Sequence, residues 1–146
     1  MDKVKQFWKD FCGANHMEGT EYKDAFQFGA SADWLADLVV EGKKTATTSG
    51  YELYELEKEA IPQAGEYYIV LNGQDEPTAI IQIQSVEVVP MNEVAEDYAL
   101  AEGGGDYQFW WEAHEKFFTE LLKEYDKEFS PEMLVVCERF EKVYPK

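Results

Sequence analysis

A single α+β unit, with its strands grouped in the middle and at the end of the chain, is what this sequence predicts, and three observations predict it. Apolar residues recur at helical spacing near the start and again from Trp110 to Tyr125. β-Branched and alternating segments crowd between Tyr67 and Val89 and return at Met133–Tyr144. No repeat, low-complexity segment or linker divides the 146 residues, a length at which one core forms without disulfides or metal.

The elements follow in order. Val4, Phe7, Trp8, Phe11 and Cys12 share one helical face, with Asp2 ahead of them and Gly13 just after. A polar, glycine-containing connection follows, within which Ala25-Phe26-Gln27-Phe28 reads as a brief edge strand. Ser31 is placed to cap a helix over residues 32–41 that carries Trp34, Leu35, Leu38 and Val39 on one face and ends at Gly42. Thr45 to Ser49 is small and β-branched, as a strand requires; a charged stretch, Tyr51 to Glu59, and a turn near Pro62 and Gly65 come next. Tyr67–Leu71 and Thr78–Val89 form a hairpin, and the alternation in the second strand loses phase near Gln84-Ser85, the mark of a bulge or a sharp coil. Asn92 is the expected cap of a short helix with Val94, Ala95 and Tyr98, stopped by Gly103-Gly104-Gly105. The longest helix then runs toward Ser130-Pro131, and Met133–Cys137 with Phe140–Tyr144 supplies a last strand. Long, bent strands of this kind suit a small barrel.

Acidic residues outnumber basic ones by 30 to 13, a net charge of −17, so non-specific coating of long nucleic acid is disfavoured. A ligand in one local pocket is still compatible, because salt screens distant charge within about 10 Å. Cys12 and Cys137 stand far apart with no Cys/His cluster, which gives no metal-site or disulfide signature. No run approaches the roughly 20 apolar residues of a membrane helix, and the charged N-terminus is no signal peptide. No membrane, no metal, no cofactor and a cytoplasmic address are the expectations.

Three places could carry chemistry. At Gly42-Lys43-Lys44-Thr45-Ala46-Thr47 two lysines follow a helix C-terminus, which the macrodipole alone would favour; an ammonium and the hydroxyls of Thr45 and Thr47 could also converge there as base and nucleophile. The upstream glycine spacing of a phosphate loop is missing. Glu102 sits at a helix end with no local structural purpose, just before three glycines; these are either a flexible loop or a place where Gly104 and its neighbours approach a ligand or another chain closely. In Tyr107–His114, Trp110 and His114 lie on the core stripe, while Trp111 lies off it and could stack on a base; His114 is a core histidine or an acid–base group.

Gly42, Lys44 and Thr47 fill the G-x-K-x-x-T pattern of the ASCH domain family, which this chain resembles. Phe7-Trp8, Phe26-x-Phe28-Gly29, Trp34-Leu35-Ala36-x-Leu38-Val39 and Trp111-x-x-His114-x-x-Phe117-Phe118 extend the likeness across nearly all 146 residues, to a bacterial subgroup with an added N-terminal helix over about residues 1–24. The resemblance implies a PUA-like fold, a small mixed β-barrel with flanking helices and a cleft over the motif. It also implies RNA binding, or hydrolysis of the amide of N4-acetylcytidine by a metal-independent lysine, threonine and glutamate trio. Carried over, these are Lys44, Thr47 and Glu102, with Lys43, Thr45, Ser49, Gly104, Trp111 and His114 as candidate ligand contacts. The small hydrolases carry an arginine where this chain has Ser49. The expected partner is a small nucleoside-like ligand or, alternatively, a short single-stranded RNA held without catalysis.

Overall fold

The computed structural model describes residues 2–29 and 31–145. Helix α1 (Lys3–Ala14) begins where the Asp2 carboxylate accepts the Val4 N–H at 2.8 Å, and it buries Trp8, Phe11 and Cys12. Strand β1 (Asp24–Gln27) is followed by α2 (Ala32–Val40), which closes through Gly42 in the left-handed region at φ +79°. Ser31 precedes α2 without capping it. Its own backbone is left-handed, φ 51° and ψ 51°, and its side chain makes no capping bond, because the extended conformation that aims a cap hydroxyl at the first turn is absent.

Strand β2 (Ala46–Gly50) leads directly into α3 (Tyr51–Leu56), a helix inside the charged stretch to which the sequence pattern assigns no element. Its single buried residue, Leu53, explains why no helical stripe is visible there. Strands β3 (Tyr67–Leu71) and β4 (Pro77–Pro90) make the expected hairpin. Asn92 does not cap the next helix. It lies in a 3-10 turn, Met91–Glu93, and α4 (Glu96–Ala101) starts after Ala95, with Glu96 and Asp97 in the first turn where the helix dipole favours carboxylates. Helix α5 (Tyr107–Lys123) is capped by Asp106, which accepts the Phe109 N–H at 2.8 Å. Strand β5 (Leu134–Tyr144) runs unbroken through Glu138 and Arg139.

The five strands form one curled half-barrel in the order β1-β3-β4-β5-β2, with β1 parallel to β3 and every other pair antiparallel. Register breaks at Ile80/Ile81 and Ile83/Ser85 bend β4, so the lost alternation at Gln84-Ser85 is a real irregularity. The period of two divides the core. Tyr68, Val70, Ile81, Ile83 and Phe140 pack with Ala36 and Val39 of α2. Their neighbours Ile69, Leu71 and Ile80 pack under α1. Ala46, Val135 and Cys137 pack against Tyr98, Trp110 and Phe118 of α4 and α5.

Candidate active site

The turn between α2 and β2 separates two adjacent lysines. The N–H groups of Lys43 and Lys44 both donate to the Leu38 carbonyl, at 2.9 and 3.0 Å, which closes the helix and sends the two side chains apart. Lys43 goes to solvent and pairs loosely with Glu41 at 3.8 Å. Lys44 is 2% exposed, and its Nζ donates to the Ala46 carbonyl at 2.6 Å and to Glu102 Oε1 at 3.0 Å, 5.0 Å from the centre of the Phe28 ring. Thr45 holds the other half of this pair in place. Its N–H and hydroxyl both donate to the Ala101 carbonyl, at 2.7 and 3.3 Å, which ties the end of α4 to the motif turn.

Glu102 is thereby given the purpose it lacks in the sequence. Besides Lys44, its carboxylate accepts from the Thr48 hydroxyl at 2.6 Å and from Trp110 Nε1 at 2.5 Å. His114 Nδ1 donates to the Trp110 carbonyl at 2.7 Å, and Nε2 faces Glu102 Oε2 at 3.3 Å. Burial works to raise the Glu102 carboxyl; Lys44, His114 and Thr48 outweigh it and hold the group down to about 2. Burial also pushes the Lys44 ammonium below its ordinary value, against the opposing pull of Glu102 and Glu138.

A cavity of about 210 Å³ opens over this pair, walled by Phe28, Trp34, Phe109, Trp110, His114 and Phe117, with Lys44, Thr47, Thr48 and Glu102 in its lining. Trp34 and Phe109 meet edge to face at 6.4 Å and are about half exposed, which makes an aromatic rim. A second cavity of about 400 Å³ adjoins the first across Phe28, Gly29, Thr47, Thr48 and Phe117 and adds Ser49, Tyr54, Tyr68 and Glu138. Ser49 hydrogen-bonds the Tyr54 hydroxyl at 2.7 Å.

The structure thus brings Lys44, Thr47, Glu102, Gly104 and His114 to one cavity and Ser49 to the next, while Lys43, Thr45 and Trp111 line neither. Trp111 packs half-buried against the α4–α5 core, and Trp110 takes the wall position. Two residues of the site stand outside those that the sequence singles out: Thr48, the adjacent hydroxyl that bonds Glu102, and Glu138. Glu138 had a legible signal: a carboxylate between Val136 and Phe140 on the apolar side of a strand. Among the described residues no group of His, Cys, Asp and Glu is arranged to hold a metal ion, and no helix is long and apolar enough to cross a membrane.

The triple glycine serves a close approach of the chain to itself. Gly103, at φ +81°, would place a Cβ 2.5 Å from the Lys43 carbonyl oxygen, and backbone cannot yield there. Gly103→Ala is expected to destabilise the fold by about 1–3 kcal/mol and to loosen the Lys44–Glu102 pair, measured by urea unfolding.

The family model described as the ASCH domain matches residues 24–144. A crystal structure of an ASCH domain from Lactobacillus crispatus JV V101 superposes with a TM-score of 0.92 at 33% identity, covering 99% of this chain and 96% of that one. A protein from Enterococcus faecalis V583, of the DUF984 family model, superposes at 0.86 with 40% identity over 97% of this chain and 90% of its own. A crystal structure of a hypothetical protein matches at 0.52 with 16% identity over 84% and 99% of the two chains, a likeness of fold alone. No curated protein matches the chain.

Proposed function

The chain belongs to the ASCH domain family, and from that premise we propose that its cleft binds a small nucleoside-like ligand and hydrolyses an amide on it, with N4-acylated cytidine as the substrate class. The observation that carries this reading is a lysine buried in the lining of an aromatic-walled cavity, its Nζ fixed by Glu102 and the Ala46 carbonyl, with the Thr47 hydroxyl position in the same lining. A planar base fits between aromatic walls, and a buried amine of lowered basicity is a usable base for a neighbouring hydroxyl.

In this mechanism the Thr47 hydroxyl attacks the acyl carbon while the neutral amine form of Lys44, which burial makes accessible, takes its proton and later returns it. Glu102, held ionised by its donors, orients the Lys44 amine and does not act as an acid. His114 and Trp110 keep the Glu102 carboxylate in that position. No metal is called for in any step. A net charge of −17 and a Lys43 side chain paired outside the cavity weigh against an extended RNA surface. The exposed Trp34–Phe109 pair favours, as a second reading, a single unstacked base of a short RNA bound without chemistry.

Incubation with N4-acetylcytidine is expected to release cytidine and acetate with the wild type. Lys44→Ala and Thr47→Ala, matched for folding by circular dichroism, are expected to lose that activity by about 10²–10⁴-fold each. Hydrolysis that persists in both variants would remove the assignment; binding of short RNA at low salt by an inactive wild type would favour the second reading.

A further inference from the structure

We propose that Glu138, which faces the second cavity from strand β5, is a further catalytic residue of this cleft: it gives a proton to the departing amine and then takes one from the incoming water. The inference rests on the amide-hydrolase reading above.

Three observations support it. Strand pairing sets Glu138 directly opposite Thr47, so the two side chains leave the sheet on the same side, with Cβ atoms about 5 Å apart. Glu138 is 6% exposed and lines the second cavity, which shares Thr47, Thr48 and Phe28 with the first, so a ligand lying over Thr47 meets Glu138 as well. Among the described residues no salt bridge is made by Glu138, so its burial costs stability that only Ser49 and the more distant Lys44 offset, whereas Glu102 already answers the charge of Lys44 directly. The groups around Glu138 are Lys44 and Glu102 from the first cavity, Ser49 and Tyr54 from β2 and α3, and Glu59, Glu66, Tyr68 and Lys23 on the far side. Burial pushes its carboxyl up to about 7, with Lys44 and Ser49 opposing, so both protonation states are populated near neutrality.

The chemistry balances. The Thr47 oxygen bonds to the acyl carbon and Lys44 takes its proton; protonated Glu138 donates to the amide nitrogen as the C–N bond breaks, leaving an acyl ester on Thr47 and a free amine. Water then attacks the ester carbon, the Glu138 carboxylate takes the water proton, and Lys44 returns its proton to the Thr47 oxygen as the acid departs.

The test uses N4-acetylcytidine beside 4-nitrophenyl acetate, whose leaving group departs without a proton. Glu138→Gln is expected to lose about 10²–10⁴-fold in amide turnover while the burst of 4-nitrophenolate survives and acylated Thr47 accumulates, seen by intact-protein mass. The wild-type fall in amide turnover as pH rises past about 7, where the acid form of Glu138 is lost, is expected to vanish in Glu138→Gln and to return in Glu138→Asp. Wild-type amide turnover in Glu138→Gln would overturn the proposal, and so would loss of the burst together with turnover, which a structural role produces. A wild type that acylates from neither compound removes the amide-hydrolase reading itself, and this role falls with it.

Discussion

Replacing Glu102 with alanine is expected to cost about 3–5 kcal/mol of folding stability, because it strands a buried ammonium. Lys44 would keep only the Ala46 carbonyl, and at 2% exposure it has no water to turn to. Trp110 Nε1 would lose its acceptor in the same stroke, and Thr48 would keep only the Tyr98 hydroxyl at 3.3 Å. Glu102→Gln keeps an acceptor oxygen and the side-chain volume and gives up only the charge, so it is expected to fall between wild type and alanine. Urea unfolding near pH 7 reads this as a shift in midpoint at unchanged slope. A loss of only about 0–1 kcal/mol, the size of an exposed ion pair, would mean that water reaches Lys44 and that the cavity floor is not dry.

Glu102 and Glu138 are expected to give the protein opposite responses to pH. For Glu102 the ordinary value of 4.5 drops to about 2 in the fold, so its contribution is complete above about pH 4.5 and is lost as pH falls toward 2. For Glu138 the same ordinary value rises to about 7, so its contribution is complete below about pH 4.5 and is lost as pH rises through 7. Each shift corresponds to about 3 kcal/mol at full extent, and Lys44 is a neighbour common to both. Glu138→Gln is therefore expected to be close to neutral near pH 4 and to stabilise the fold by up to about 3 kcal/mol near pH 8. Thermal melts across that range check it. Equal melting temperatures at the alkaline end would show that the folded protein does not resist ionising this carboxyl.

Much of this architecture was legible in the sequence where local chemistry and packing agree. The α1 stripe, the Gly42 stop, the hairpin and the kink near Gln84-Ser85 all follow from side-chain period and turn residues, and all stand in the fold. Ser31 and Asn92 misled because a capping residue type is not a capping backbone; one is left-handed and the other sits in a 3-10 turn. Helix α3 escaped because it buries a single leucine. In the cleft, Lys44 and Glu102 stood out as a motif lysine and a carboxylate without a local reason. Their contact, across a sequence separation of 58, comes from the Thr45–Ala101 strap and the bare backbone of Gly103, which no periodicity encodes. Trp111 lies off the core stripe and so reads as the stacking candidate, yet the wall of the cavity belongs to the core, and Trp110 serves both.

The place of β5 in the sheet has a consequence for how the protein is made. Among the described residues strand β2 pairs only with β5, so residues 46–50 have no sheet partner until residues 134–144 have left the ribosome. Such distant pairing is slow to nucleate, and it leaves the Thr47 strand an open edge throughout elongation. The cleft therefore assembles last. A nascent chain stalled before β5 can close the β3–β4 hairpin but not the Thr47–Glu138 pair, and at that stage it exposes unpaired strand edges that favour aggregation.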